Sequence, residues 1–189
     1  MQEVQTIPKM LIYEMVNDKP VYYQGYQDYL NGSKKIEEVM ASSMLQGYLI
    51  SEIIFLLRLH FQKRYIIMSN ELGLLFKKGS WRAADIALVE ASKVKTMNNK
   101  YMNFAPDLVI EVDTKADLST IKNPLGYYHE KTEELLNFGV QKVIWIFTDT
   151  KKVLIATPNN RWEIADWNEN IEIWEDLSFN LMDLMQDYI

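Results

Sequence analysis

Two carboxylates lie inside stretches of the sequence that are otherwise apolar. Asp85 interrupts the run Ala-Ala-Asp-Ile-Ala-Leu-Val at 83–89, and Glu111 interrupts the run at 106–113. A carboxylate in such a stretch costs free energy unless it is paired or binds a metal. Oxygen ligands of this kind suit Mg²⁺ or Mn²⁺, which also bind the phosphate oxygens of substrates. The sequence therefore predicts that Asp85 and Glu111 form the acidic part of a metal site, although Asp85 could instead pair with Arg82 or a lysine.

The residues around the two acids alternate in the way that is typical of β-strands. In each segment the alternation sets the acid on one face and its larger aliphatic neighbours on the other. The strands at 81–90 and 106–113 could lie side by side, and the carboxylates of Asp85 and Glu111 would then meet.

A lysine falls within the apolar stripe of a predicted helix. Pro124 suits the first position of that helix, and Gly139 suits the position just after its end. Lys131 lies three residues after Tyr128 and four before Leu135, which is the spacing of one helical face. Its ammonium could point toward the sheet, where it would neutralise a phosphate or orient an attacking water. The alternative is that it reaches out into solvent, as many lysines on apolar surfaces do.

The order of the predicted elements indicates a mixed α/β fold, with the chain 1–189 forming a single domain. The strand at 106–113, the helix after it and the apolar strand at 140–147 should form a right-handed βαβ unit with parallel strands. Ser43 and Gln46 should begin the longest helix as a capping box. The other expected elements are strands at 10–16, 21–26, 65–70, 72–77 and 81–90, a hairpin at 152–157 and 161–165, and a terminal helix at 179–188.

The composition restricts the classes of function. The 189 residues include no cysteine and two histidines, which excludes disulfides, thiol catalysis and multi-histidine zinc sites. The net charge of −6 argues against a non-specific nucleic-acid binder but not against a nuclease, whose metal-binding carboxylates are themselves negative. No apolar run reaches the roughly 18 residues that span a bilayer. Because the N-terminus does not resemble a signal peptide either, we expect a cytoplasmic protein with no membrane partner.

Several segments resemble those of one known family. They are Ala84-Asp85-Ile86, Pro106-Asp107-Leu108-Val109-Ile110-Glu111-Val112, Lys131, Gly139-Val140 and Trp145-Ile146. Together they resemble the Uma family of inferred bacterial endonucleases, which belongs to the PD-(D/E)XK restriction-endonuclease-like superfamily. The resemblance implies a mixed central sheet flanked by helices and a metal-dependent phosphodiesterase core. Asp85 would correspond to the first acid and Glu111 to the second. Lys131, eight residues before Gly139 as in the family, would replace the lysine of the superfamily motif.

The chain also departs from the family pattern. Leu135 stands where the family usually has a tyrosine, and Asp113 stands where the superfamily motif expects a lysine. Because 113–115 reads Asp-Thr-Lys, the motif lysine is either Lys131, which we favour, or Lys115. Three further side chains could take part in the site: Gln46, Glu71 and Asp113.

The leading interpretation is a Mg²⁺- or Mn²⁺-dependent endonuclease that hydrolyses phosphodiester bonds of nucleic acid, with DNA as the expected substrate. A homodimer is one arrangement open to it, since small nucleases often pair to cut two strands. The second interpretation is a catalytically inactive nuclease fold that binds nucleic acid or a protein. The third is a structural interaction protein, whose exposed partner surface would include Tyr22, Tyr23, Tyr26 and Tyr29.

Overall fold

A mixed sheet of eight strands forms the centre of the protein in the computed structural model, which describes residues 7–119, 123–186 and 188. Its strands are β1 (Ile12–Val16), β2 (Lys19–Tyr22), β3 (Tyr65–Lys77), β4 (Ser80–Glu90), β5 (Leu108–Val112), β6 (Lys142–Phe147), β7 (Lys152–Ala156) and β8 (Glu163–Asp166). They are ordered β2-β1-β4-β5-β6-β7-β8, and β3 pairs with β4. The β5–β6 pair is parallel and the other pairs are antiparallel.

Two hydrophobic clusters pack on the two faces of this sheet. The other elements are α1 (Tyr26–Leu30), α2 (Ile36–Met40), α3 (Met44–Phe61), α4 (Pro124–Phe138), α5 (Leu181–Leu184) and the hairpin of β9 (Ile171–Trp174) and β10 (Leu177–Phe179). One cluster joins α3, the β9–β10 hairpin and α5 to Ile86 and Ile110. The other joins α4 to Val109 and Trp145. Alternation along the central strands therefore supplies both cores, as the sequence predicts.

Strand β3 passes along the whole of β4, so β1 and β5 must share the other edge of β4. Met15 of β1 pairs with Trp81, and Ile110 of β5 pairs with Ile86. The strands β1 and β5 consequently follow one another along that edge. This arrangement brings side chains from two distant parts of the chain next to each other.

The predicted βαβ unit is confirmed as a parallel pair, β5 and β6, connected through α4. Pro124 occupies the first turn of α4, and Gly139 ends it in the left-handed region with a φ of 118°. Asn123 precedes the helix, and its side chain makes no capping hydrogen bond.

The two strands expected at 65–70 and 72–77 form a single bent strand, β3. The register with β4 shifts between Ser69 and Leu72, and the two residues inside the bulge, Asn70 and Glu71, have positive φ angles of 73° and 54°. A bulge bends a strand without ending it and changes the direction of the bulged side chains. The sequence shows the interruption but does not distinguish a bulge from a turn.

The end of the chain differs from the prediction of one helix at 179–188. The helix α5 covers Leu181–Leu184, and Phe179 belongs to β10. The β9–β10 hairpin was not expected, although Ile171-Glu172-Ile173-Trp174 alternates as a half-buried strand does. Residue 187 of the predicted helix lies outside the described residues.

Among the described residues, α3 is the one helix that is long and apolar enough to cross a membrane by length and composition. The same property is common in the core helices of globular domains. In this fold Leu49, Ile53 and Leu57 are completely buried in the cluster on the sheet. We therefore assign α3 to the core of the domain.

Candidate functional site

Asp85 and Glu111 lie on adjacent antiparallel strands. Ile86 pairs with Ile110, and continuing that register by one residue sets Asp85 opposite Glu111. Side chains placed this way have Cβ atoms about 5 Å apart. Both carboxylates are buried, at 6% and 1% exposure, and Asp85 Oδ2 accepts a hydrogen bond of 2.9 Å from the Val112 N–H. The structure thus brings together the two acids that the sequence singled out.

Lys131 points from α4 into the site. Its Nζ lies 3.1 Å from Glu111 Oε1 and 2.9 Å from Glu14 Oε1, and the side chain is fully buried. The next residue, Thr132, fixes α4 against β6, because its hydroxyl accepts a 2.8 Å hydrogen bond from the Trp145 indole N–H. The alternative in which Lys131 extends into solvent is therefore wrong.

Glu14, which the sequence reasoning missed, lies at the centre of a buried network. Its Oε2 is 2.8 Å from Arg82 Nη1 and accepts a 2.8 Å hydrogen bond from the Tyr127 hydroxyl. Its Oε1 accepts a 3.2 Å hydrogen bond from the Ala83 N–H. A signal was available, since Glu14 is the one acid in the apolar run at 10–16, as Asp85 is in its own run.

The ion pairs of this network leave two carboxylates without a cation of their own. Arg82 Nε pairs with Glu134 at 2.7 Å, and Lys131 is shared between Glu14 and Glu111. If each cation is assigned to a single anion, Arg82 balances Glu134 and Lys131 balances Glu14. Asp85 and Glu111 are then in excess. Arg82 does not pair with Asp85. The alternative in which Asp85 forms an ion pair with Arg82 is therefore wrong.

The pKa values follow from this imbalance. Burial raises the pKa of Glu111 from 4.5 to about 8, Lys131 opposes the rise, and Asp85 and Glu14 add to it. Burial also raises the pKa of Asp85, against the opposing effects of the Val112 N–H and Lys131. Burial alone would raise the pKa of Glu14, but Lys131 and Arg82 outweigh burial and lower it.

The ammonium of Lys131 stays charged in this environment. Burial would lower its pKa, but Glu111 and Glu14 outweigh burial and raise it. Glu14 and Lys131 are consequently both ionised near neutral pH. Without a further cation, Glu111 is the group that takes up a proton.

The bulge in β3 directs Glu71 toward Lys115, the alternative motif lysine. The two side chains form an ion pair, and the Tyr23 hydroxyl donates a 2.6 Å hydrogen bond to Glu71 Oε2. Both Glu71 and Lys115 are close enough to Asp85 to influence its pKa, Lys115 lowering it and Glu71 raising it. Lys131 thus contacts Glu111 directly, whereas Lys115 pairs with Glu71 and lowers the pKa of Asp85 less than Lys131 does.

Gln46 contacts the backbone between the two acids. Its Nε2 donates a 2.7 Å hydrogen bond to the Val112 carbonyl, while its own N–H donates to Ser43 Oγ at 3.1 Å. Half of the predicted capping box is thus present, and the glutamine side chain turns to β5 instead. A carbonyl oxygen has a second lone pair, so Val112 can still accept another contact.

Replacing Gln46 with methionine should destabilise the protein by about 1–3 kcal/mol, because the buried Val112 carbonyl would lose its donor. Chemical denaturation of the variant would measure this loss. The matched control is Ser51→Ala on the exposed side of α3, which should change stability by less than about 0.5 kcal/mol. Equal losses in the two variants would contradict the assigned role of Gln46.

Two other groups of predicted residues have structural contacts. Asp113 Oδ1 and Oδ2 accept hydrogen bonds of 2.9 and 2.6 Å from the backbone N–H and hydroxyl of Thr148. Tyr23 is buried, and Tyr22 stacks on Tyr26 with ring centroids 4.8 Å apart. Tyr29 also packs on the cluster around α4. The expectation of an exposed tyrosine surface is therefore wrong, because these rings cover the core.

A cleft of about 850 Å³ opens next to the buried acids. Gln46 and Lys115 line the cleft and connect it with the site. Gln46 donates a hydrogen bond to the Val112 carbonyl, and Lys115 forms an ion pair with Glu71. Its charged lining residues are Asp28, Lys34, Glu38, Asp113, Lys115, Asp117 and Asp149. Acids outnumber lysines there, so an anionic substrate would need additional positive charge to enter.

The residues present fit a divalent cation. In the described part of the chain, Glu111 Oε1 has no aligned hydrogen-bond partner despite its ion pair with Lys131. The two excess carboxylates match the charge of Mg²⁺ or Mn²⁺. The described residues contain no group of three or more acidic or histidine side chains able to hold a metal. Two carboxylates are nevertheless a common number for Mg²⁺, which usually keeps several waters.

Comparisons with known proteins bear on the fold and the family of the chain. A solved structure from Anabaena variabilis ATCC 29413, described as a "putative nuclease belonging to DUF820", superposes with a TM-score of 0.70. The match covers 97% of this chain and 94% of that one at 15% sequence identity, so it shows a shared restriction-endonuclease-like fold. No curated protein matches the chain. The profile of the Uma2 family, described as "Putative restriction endonuclease", matches residues 27–182. The resemblance seen in the sequence is confirmed: the chain belongs to the Uma2 family.

Proposed function

We propose that this protein is a Mg²⁺- or Mn²⁺-dependent endonuclease that hydrolyses phosphodiester bonds, with DNA as its substrate. The observation that carries the proposal is the pair of opposed, buried carboxylates, Asp85 and Glu111, in a network whose carboxylates outnumber its cations by two. Membership of a family described as restriction endonucleases supports a nuclease at the coarse level.

The proposal gives each side chain a definite role. Asp85 and Glu111 would hold the metal ion, with the Val112 carbonyl available as a further oxygen. When bound, the ion would lower the pKa of an attacking water and stabilise negative charge on the leaving oxygen. Lys131 would fix the position of Glu111, which it contacts directly. Lys115, which lines the cleft, is placed to meet a substrate phosphate.

Supercoiled plasmid incubated with Mg²⁺ or Mn²⁺ would test the proposal. Asp85→Asn and Glu111→Gln should each lower the cleavage rate at least about 100-fold, because each removes a charge from the metal site. The control is Asp166→Asn, which changes an exposed acid of β8 and should cleave like the wild type. A double variant of Asp85 and Glu111 that retained wild-type activity would overturn the proposal.

The proposed cytoplasmic enzyme would act on duplex DNA as a homodimer. A dimer would present two sites and could produce linear plasmid directly, whereas a monomer would first accumulate nicked circles. Sedimentation at several protein concentrations, compared with the order in which the products form, would decide between these states. Cleavage of RNA in preference to DNA would contradict the substrate assignment.

A second candidate function is a catalytically inactive nuclease fold that binds nucleic acid or a protein. The observation in its favour is that the acids are buried and that acids outnumber lysines in the lining of the adjacent cleft. Calorimetric titration with Mn²⁺ separates the two candidates. The absence of binding at millimolar metal would favour the inactive fold.

A further inference from the structure

The carboxylate of Glu14 connects three elements of the fold at one buried point. From β1 it contacts the backbone and the guanidinium of β4 through Ala83 and Arg82. From the same position it reaches two side chains of α4, accepting a hydrogen bond from Tyr127 and pairing with Lys131. Each of these groups, the backbone amide of Ala83 included, is a proton donor facing the carboxylate, and the Glu14 side chain has no exposed surface.

The sheet places Glu14 next to the acidic site. Because β1 and β5 follow one another along the same edge of β4, Glu14 lies beside Ala83 and Glu111 lies opposite Asp85. The ammonium of Lys131 lies between the two glutamates, 2.9 Å from one and 3.1 Å from the other. Glu14 is thus the nearest competitor of Glu111 for that ammonium.

This competition determines the net charge that the site presents to a metal ion. With Glu14 present, one ammonium is divided between two carboxylates. Without the charge of Glu14, the same ammonium would pair with Glu111 alone, and an ionised Glu111 would bring no surplus negative charge to the site. A divalent cation would then be attracted much less, because opposite charges in a buried site interact strongly.

Stability alone is a weak explanation for such a cluster. Buried ion pairs often contribute little net stability, since desolvation of the charges offsets their attraction. A group that orients a neighbouring metal ligand contributes to metal affinity instead. Removal of such a supporting group typically lowers metal affinity by about 10–100-fold.

We propose that Glu14 is a positioning residue of the metal site. It holds the ammonium of Lys131 away from exclusive pairing with Glu111, so that the site keeps a surplus negative charge for a divalent cation when Glu111 ionises. This inference rests on the proposed function, because it requires that Asp85 and Glu111 bind metal.

Mn²⁺ binding by calorimetry in three variants would test the inference. Glu14→Gln keeps the size of the side chain but removes its charge, and should weaken Mn²⁺ binding by about 10–100-fold. Adding Lys131→Met to that variant removes the released ammonium as well. The double variant should regain most of the wild-type affinity, whether or not it cleaves DNA. The control Glu163→Gln, an exposed change on β8, should bind like the wild type.

The outcomes separate this inference from the proposed function. If the wild type binds no Mn²⁺, both fall. If the wild type binds but Glu14→Gln binds equally well, only the role of Glu14 is overturned. A purely structural role predicts that the double variant binds no better than Glu14→Gln. If Glu14→Gln does not fold, Glu14→Asp takes its place, because the shorter side chain draws the carboxylate away from Lys131. Weaker Mn²⁺ binding that Lys131→Met restores supports the inference, and unchanged binding overturns it.

Discussion

Replacing Arg82 with leucine should lower the free energy of unfolding by about 3–5 kcal/mol. The guanidinium is 1% exposed and contacts Glu14 at 2.8 Å and Glu134 at 2.7 Å. Its removal would leave Glu14 with Lys131 as its one remaining cation, and Glu134 would lose its partner. The cost is large because a buried charge that loses its partner keeps its desolvation penalty.

The matched control is Arg64→Leu, which breaks an arginine–glutamate pair of similar length at the surface. Arg64 Nη2 lies 2.9 Å from Glu175 Oε2, and the arginine side chain is 60% exposed. Because solvent screens such a pair, its loss should cost less than about 1 kcal/mol. Urea denaturation of both variants would measure the difference. Equal losses would show that the buried network contributes no more than a surface pair.

The elements with strong local signals could be predicted from the sequence. Pro124 and Gly139 bound α4 as their backbone preferences require, and the apolar run before Phe147 forms the parallel strand next to β5. The opposition of Asp85 and Glu111 also follows from alternation, once their two strands are paired. Local propensity, periodicity and pairing agree in this part of the chain.

Glu14 was missed because β1 does not alternate regularly. Tyr13 and Glu14 are consecutive and both buried, and the register with β2 shifts between Ile12 and Glu14. Strict alternation would send one of two such neighbours to the other face. The contact with Lys131 also depends on how β1 and β5 divide the edge of β4, which no local pattern encodes.

Glu71 illustrates a different limit. The sequence indicates a break near this residue, but its side chain meets Lys115 because the bulge gives Asn70 and Glu71 positive φ angles. Such angles are uncommon outside glycine and arise from the surrounding pairing. Only the paired sheet shows that the bulge lies beside Asp85.

Replacing Glu111 with glutamine should make the stability of the metal-free protein less dependent on pH. In the unfolded chain this carboxyl titrates near its ordinary value of 4.5, whereas burial raises its folded pKa to about 8. Between these values the unfolded state has lost a proton that the folded state keeps. The stabilising contribution of the Glu111 carboxyl is therefore fully present below pH 4.5 and is lost as the pH rises through about 8.

Glutamine resembles the protonated acid at every pH, so Glu111→Gln should not show this loss. The quantity to compare is the difference in the free energy of unfolding, variant minus wild type. This difference should rise by about 2–4 kcal/mol between about pH 5 and pH 9. Urea titrations in the presence of a chelator would measure it. Glu163→Gln, an exposed change on β8, is the control and should give a difference that does not vary with pH.

At high pH, divalent metal should reverse the order of stability of the wild type and Glu111→Gln. The ionised Glu111 of the wild type would gain a counter-charge, and binding to the folded state alone increases stability by mass action. The variant lacks that charge and should gain much less from millimolar Mn²⁺ at about pH 9. A pH-independent difference without metal would contradict the raised pKa of Glu111. Equal stabilisation of both proteins by Mn²⁺ would place the metal elsewhere than at this carboxylate.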